Sequence, residues 1–427
     1  MRSSVVERYS YKVDVLGSIP SAPTPMSFVP KIVKFSVLKV TRDRGYILNK
    51  FLMHPFPKGY PQVETITILR NKVEREDIVI CRRLLKAYKL ATKLNISKNP
   101  ALPAGRKKDI WTDLATSYHR EFIDVLQEGS PETLAKYLLS VHARGISQGL
   151  VQGEIEYQKL RSSQIFRRFT GVNIKDKLVA LAEYLSVLPY ENPEQGTYGA
   201  NIYKDENKLI LEIEKRLKIK ITTPDFENAL FKLKLRSGSL HVRDIYALYT
   251  AIRVLETAGK KVKVAEIGGG VGKAAYYSYK LGIRDYSIFD LSYINVLQGY
   301  FLLKSFPNSV SLYGEKPKAI KVLPDFMFAK MPKNRFDLTL NEDSFPEINP
   351  GLVRNYLKDI RRNTKKYLLS INQEGESSFA AIKQSIVGKI IEEAGGFKKE
   401  YRFPFWVRKG YIEELYIKRP KRLIGKR

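Results

Sequence analysis

The 427-residue chain carries 74 Lys and Arg against 44 Asp and Glu, a formal net charge of +30 at pH 7. Its single cysteine, Cys81, excludes an intramolecular disulfide and a Cys-rich zinc site, which fits a reducing, cytoplasmic setting. No run approaches the roughly 20 apolar residues of a membrane span, and the N-terminal MRSSVVERYSYKVDVLGS lacks the apolar centre of a secretory signal. A soluble protein is expected. Its charge would attract polyanions, although the basic residues are scattered except in the tail KRPKRLIGKR, 418–427. That tail is expected to touch anionic surfaces peripherally, the inner membrane face included.

In chain order, SIPSAPTPMSFVPK reads as a Pro/Ser-rich loop, FSVLKV and ETITILR as short strands, and REDIVICRRLLKAYKLATKLNI as a helix. NPALPAGRKK, 99–108, is a hinge signal. From Trp111 to about Ser186 the pattern is helical, with Leu134, Tyr137, Leu138 and Val141 on one face after a Ser-Pro-Glu entry. VLPYENPEQGTYG, 187–199, is turn-rich. ENKLILEIEKRL sets Ile210, Ile213 and Leu217 at helical spacing, and HVRDIYALYTAIRVLETAGKK reads as a helix ending at Gly259. Strands and helices then alternate. The strands are VKVAEIG, YSIFDL, the short VSLYG and IKVLP, FDLTLNED and KKYLLSIN. KEYRFPFWV and YIEELYIK close the chain as an antiparallel pair. SSFAAIKQSIVGKIIEEAG reads as the last helix. This predicts a mixed N-terminal region over 1–105, a mostly helical substrate or cap region over 106–240, a doubly wound α/β domain over 241–418, and the basic tail, 419–427.

The chemistry concentrates in KVAEIGGGVGKA, Lys263 to Ala274. Gly268, Gly270 and Gly272 alternate after a strand, but the dinucleotide fingerprint wants Gly or Ala where Lys273 stands. Glu266 argues further against a pyrophosphate, which it would repel. A ligand with an ammonium and a sulfonium would welcome it, so the turn favours S-adenosylmethionine. Asp290 ends the next strand about 20 residues on, where a carboxylate accepts ribose hydroxyls.

Five stretches in order resemble the bacterial sugar O-methyltransferases that use S-adenosylmethionine: EIGGGVG (266–272), SIFDLSYINVLQGYFL (287–302), FDLTLNEDSFPEI (336–348), LLSINQE (368–374) and WVRKGYIEELY (406–416). The resemblance covers the segment from roughly His241 to Lys418, about two fifths of the chain. Where that family has Asp-Leu-Pro after the second strand, Ser292 replaces the proline here. The resemblance implies a Rossmann-like, seven-stranded methyltransferase sheet with a terminal antiparallel hairpin, and methyl transfer to a sugar hydroxyl of a nucleotide-sugar or surface glycan, an acceptor that can itself be anionic.

Methyl transfer from a sulfonium needs the acceptor oxygen positioned and its proton removed. Asp343 is the first candidate for base, or for ligand of a divalent cation such as Mg that would lower the hydroxyl pKa. Glu347 and His241 are further candidate catalytic groups, though a helix-cap role suits both Asp343 and His241. Asn341, Asn372, Gln373 and Glu374 follow strands and suit polyol hydroxyls, and Trp406 could stack on a sugar ring, unless it packs at a sheet edge beside Tyr411. His54, His119 and His142 have no assigned function. An RNA methyltransferase is the alternative that the charge suggests, yet no RNA-binding module is recognisable and nucleic acid is not the expected partner. A non-catalytic scaffold in glycan assembly is the third reading.

Overall fold

The computed structural model describes residues 65–66, 72–94, 109–150, 164–192, 194, 199–223, 232–236, 238–374, 378–379 and 382–420. The expected strand FSVLKV, the hinge 99–108, His54 and residues 421–427 of the basic tail lie outside them.

The described chain begins with β1 (Thr65–Ile66), α1 (Arg75–Leu94), α2 (Ile110–Thr116), α3 (Arg120–Glu128), α4 (Pro131–Leu138), α5 (Gln164–Tyr184) and α6 (Glu206–Leu217). In α1, Ile80, Cys81, Leu84, Leu85, Tyr88 and Ala91 recur at three- and four-residue steps and are buried, which is the periodicity of a helix with one apolar face. Ser130 caps α4 by accepting from Thr133 N, with Pro131 at the first helical position, where its missing N–H costs nothing. Asp205 caps α6, which buries Leu209, Ile210 and Ile213. Two further strands, β2 (Lys232–Leu235) and β3 (Gly238–Leu240), complete a small antiparallel sheet with β1. Then comes α7 (Val242–Ala258), closed by Gly259 at φ 75.

The α/β part follows: β4 (Lys263–Ile267), α8 (Lys273–Lys280), β5 (Asp285–Asp290), α9 (Ile294–Ser305), β6 (Val310–Leu312), β7 (Ile320–Pro324), α10 (Phe326–Ala329), β8 (Phe336–Glu342), α11 (Pro350–Asn363) and β9 (Thr364–Gln373). Where one long helix was expected after β9, the chain forms a two-strand ribbon, β10 (Ser378–Phe379) with β11 (Ile382–Lys383), and only then α12 (Val387–Ala394). The hairpin β12 (Phe397–Pro404) and β13 (Tyr411–Lys418) ends it.

The main sheet has eight strands in the order β12-β13-β9-β8-β4-β5-β7-β6. The strands from β6 to β9 are parallel, and β13 runs antiparallel between β9 and β12. This is the expected Rossmann-like sheet with its terminal antiparallel hairpin, but with eight strands where seven were expected; the eighth is the three-residue β6 at one edge. From β4 the chain adds β5 on one side and later β8 on the other, so the order reverses there. The crevice beyond the C-terminal ends of β4, β5 and β8 is where such a sheet takes a ligand.

The N-terminal helices are packed on this frame. Tyr300 Oη donates to Asp77 Oδ1 at 2.9 Å, and Lys304 Nζ lies 2.6 Å from Glu76 and 3.2 Å from Asp77, which joins α1 to α9. Leu84 of α1 packs onto Gly299, where any side chain would collide with it. No helix among the described residues is long and apolar enough to cross a membrane.

Candidate active site

A cleft opens at the switch point, lined by the glycine turn, Glu266, Asp290, Asp325, Glu342, Asp343 and Glu347 from the sheet side. Trp111, Gly149 and Leu150 from the N-terminal helices, with Arg243, Tyr246 and Ala247 of α7, close it. Six carboxylates therefore face Arg243 and Lys273, so the cleft is acidic inside a strongly basic chain.

The turn needs its glycines for two different reasons. Gly268 has φ 75, and a Cβ there would overlap Ser344 Oγ and Cβ. Gly270 has φ 54 but open space beside it, so its backbone is left bare for a ligand to approach. Ser344 approaches so closely because its Oγ donates to Ile267 O at 3.1 Å, while Asn341 Nδ2 donates to Ile267 O at 3.0 Å and to Ser344 Oγ at 2.6 Å. Asn341 is thus the clasp that ties the end of β8 to the end of β4. Asn372 Nδ2 donates to Asn341 Oδ1 at 3.0 Å, extending the clasp to β9. Both asparagines are buried, and neither lines the cleft.

Asp290 is held open at the end of β5. Its Oδ1 accepts from Leu291 N at 2.8 Å and its Oδ2 from Gln298 Nε2 at 2.7 Å. Gln298 also donates to Gly270 O at 3.0 Å, so one buried amide joins the glycine turn to the strand-end acid. Beside it, Asp325 caps α10 by accepting from Phe326 N, and its own N–H donates to Asp290 O.

Glu266 is 3 % exposed and accepts from Tyr286 Oη at 3.0 Å. Burial, then the nearby Glu342 carboxylate, push its pKa up to about 8, against the Tyr286 hydrogen bond. Glu342 is raised to about 7 by burial, with Thr250 beside it and Asp343 adding repulsion. Glu347 is raised to about 8, again by burial first and then by Asp343, with Trp111 against it.

Asp343 differs from these neighbours. It sits at φ 59, a left-handed conformation for a non-glycine residue. Its Oδ1 accepts from Tyr411 Oη at 2.6 Å, its Oδ2 from Arg408 Nη1 at 2.9 Å, and Arg243 Nη1 lies 3.5 Å away. Arg408 in turn stacks over Tyr411 at 3.6 Å from the ring centre. Both Asp343 oxygens are engaged, one by Tyr411 and one by Arg408, with Arg243 nearby, which makes it a poor ligand for a dication. Among the described residues no group of three His, Cys, Asp or Glu could hold a metal ion. The residues present do not fit the expected divalent cation.

The remaining expected site residues lie elsewhere. His241 is the N-cap of α7: its Nδ1 accepts from Arg243 N, and its backbone N–H donates to Asp244 in a capping box. Gln373 ends β9, where Tyr411 of β13 pairs with it, and is not part of the cleft lining. Glu374 forms a two-point ion pair with Arg402, which holds its carboxyl below the usual range. Trp406 donates from Nε1 to Ala180 O at 2.8 Å and packs near Tyr184 and Tyr190, so it anchors the hairpin tip on α5. His119, expected to be without a role, is a buried link. Its Nε2 lies 2.9 Å from Gln148 O, a pure acceptor, so this nitrogen carries the hydrogen. Its Nδ1 then accepts from Tyr293 Oη at 3.2 Å. Burial lowers its pKa to about 4, which keeps it neutral, and its two hydrogen bonds tie Gln148 to the loop after Asp290.

No family model matches the chain. No curated protein matches it either. Among solved structures it is similar to an S-adenosylmethionine-dependent methyltransferase from Aquifex aeolicus, with 20% identity, 40% of this chain and 90% of that one covered, and a TM-score of 0.30. It is also similar to 1,6-didemethyltoxoflavin-N1-methyltransferase from Burkholderia thailandensis, solved with S-adenosylhomocysteine: 16% identity, 41% and 79% covered, TM-score 0.31. Magnesium protoporphyrin IX methyltransferase from Synechocystis PCC 6803, solved with S-adenosylmethionine, gives 13% identity, 42% and 82% covered, and a TM-score of 0.30. The likeness is one of fold, over about two fifths of this chain.

Proposed function

We propose that this chain is an S-adenosylmethionine-dependent O-methyltransferase whose acceptor is a sugar hydroxyl, on a nucleotide-sugar or a glycan. The observation that carries the reading is the acidic cleft at the switch point. Gly270 offers bare backbone, Asp290 presents a carboxylate fixed by Gln298, and Glu266 stands just before the turn. A pyrophosphate would meet repulsion from Glu266 and Glu342; a ligand with a cationic amino-acid end would neutralise them. These residues fit the donor: Glu266 for its ammonium, the glycine turn for its backbone approach, and Asp290 for its ribose.

When bound, S-adenosylmethionine supplies an activated methyl group that leaves a neutral thioether behind. The chain's part is to hold an acceptor hydroxyl in line and take its proton. Glu347 suits the proton transfer, because it borders the cleft and its pKa is raised to about 8, chiefly by burial. Asp343 would position, through Arg408 and Tyr411. Trp111 and Leu150 would exclude water above the acceptor. Arg243, on the cleft wall 3.5 Å from Asp343, would also meet an anionic group of the acceptor. The sugar assignment rests on the five stretches that resemble sugar O-methyltransferases.

The test is to incubate the full chain with isotope-labelled methyl donor and a panel of nucleotide-sugars and surface polysaccharides, and to read label transfer by mass spectrometry. Label in a sugar hydroxyl is expected. Label only in RNA, or none with any acceptor despite donor binding, would overturn the sugar reading.

A further inference from the structure

We propose that Glu342 is a second donor-binding carboxylate, forming with Glu266 a two-acid seat for the cationic methionine end of S-adenosylmethionine. This rests on the donor reading above and adds a residue and a coupling to it.

The seat follows from strand register. In the parallel pair β4–β8, Glu266 stands opposite Leu340. Residues opposite one another share a face, and the side-chain period of a strand is two. Glu342, two residues beyond Leu340, therefore shares the face of Glu266. Tyr286 falls on that face as well, since it pairs with Val264 on β5, and it is the residue that donates to Glu266. Both acids border the cleft, and each raises the pKa of the Tyr286 phenol on β5.

The groups around the pair leave its charge unbalanced. From β5 come Tyr286 and Asp290, and from β8 Asp343. The facing cations are Arg243 of α7 and Arg408 of the hairpin, and Arg408 is bonded to Asp343. Lys273 of α8 is bonded to Asp244, its Nζ 2.7 Å from Oδ1. The Glu342 charge raises Glu266, so two like carboxylates on one face resist double ionisation near neutrality. A cation arriving between them favours the doubly ionised pair, so its binding releases a proton.

Calorimetric titration of the full chain with S-adenosylmethionine, in two buffers of different ionisation enthalpy, measures that release. About one proton per donor is expected at pH 7. Affinity should rise with pH by up to about tenfold per unit below pH 7 and level off above about pH 8. 5′-Methylthioadenosine, which keeps the nucleoside and lacks the amino-acid end, should show neither effect. In Glu342→Gln the affinity for S-adenosylmethionine at pH 9 should fall about tenfold, the proton release should largely vanish, and 5′-methylthioadenosine should bind as before.

Wild-type affinity that is flat with pH, or a variant that loses both ligands equally, would overturn the two-acid seat while leaving the donor site standing. If wild type bound neither ligand, the donor reading itself would fail. Because the wild-type pH profiles need no variant, the idea stays testable if Glu342→Gln does not fold.

Discussion

Gln298 Nε2 lies 2.7 Å from Asp290 Oδ2 and 3.0 Å from the carbonyl oxygen of Gly270. One amide thus sets the spacing between the glycine turn and the strand-end carboxylate. A hydrogen bond to a charged group contributes about 1.5–3 kcal/mol. Part of that is spent on holding the carboxylate where a ribose would meet it. Gln298→Ala is expected to weaken S-adenosylmethionine binding about tenfold, with a further loss in Asp290→Ala, both read by calorimetry. Undiminished affinity in Asp290→Ala would remove the ribose role.

Gly268 and Gly270 separate backbone strain from ligand approach. Both have positive φ, so alanine at either costs about 1 kcal/mol or more. At Gly268 the added Cβ also collides with Ser344, which is pinned to Ile267 O. Gly268→Ala should lower the melting temperature well beyond Gly270→Ala. Gly270→Ala should keep more of the fold yet lose donor affinity, because its Cβ points into open space. Equal thermal shifts would contradict this division.

The half of the cleft proposed for the donor was legible as a place in the fold because its parts are local. A strand, an acid, a glycine turn and the next strand-end acid all fall between Glu266 and Asp290, and contiguous sequence fixes their relation. The half proposed for the acceptor was not, because it is assembled across the chain. Trp111 and Leu150 reach the cleft from more than a hundred residues away, and nothing in their own segments marks them. Glu342 was readable in principle: period two along FDLTLNE puts it on the face of Leu340, but the neighbouring Asn341 and Asp343 drew the assignment. Those two are consumed by structure, Asn341 in the clasp onto Ile267 and Asp343 in the ion pair with Arg408. Residue type alone does not tell a carboxylate awaiting a proton from one locked to a guanidinium. The expected helix over SSFAAIKQSIVGKIIEEAG shortened to Val387–Ala394, because apolar residues at helical spacing also suit the β10–β11 ribbon that precedes it.

Asp343 and Glu347 should separate cleanly in kinetics. Glu347→Gln is expected to lower kcat by about 10²–10⁴, leave donor affinity intact, and remove the acidic limb of the pH–rate profile near pH 8. Asp343→Asn removes the charge that holds Arg408 and Tyr411. It should raise the acceptor KM and lower the melting temperature while the acidic limb persists. If Asp343→Asn abolished the limb and Glu347→Gln kept it, the proton acceptor would be Asp343.

The three raised carboxylates also bear on the unliganded protein. Glu266, Glu342 and Glu347 hold their protons more tightly folded than unfolded, since each is raised from 4.5 to about 8, 7 and 8 respectively. Between those values the native state binds more protons than the unfolded state, so stability falls as pH rises. The contribution is complete below about pH 4.5 and is lost through pH 7–8. His119 works in the opposite direction: lowered from 6.5 to about 4, it adds stability as pH climbs, and that gain is complete by about pH 6.5. The carboxylates are therefore unopposed by His119 from about pH 6.5 to 8. Over that range the melting temperature of the ligand-free chain should drop, and saturating S-adenosylmethionine should flatten the slope by neutralising the ionised pair. Glu266→Gln should flatten it without ligand. A melting temperature that is level or rising from pH 6.5 to 8 in the free wild type would mean that these acids are already ionised, and the cleft already balanced, before any donor arrives.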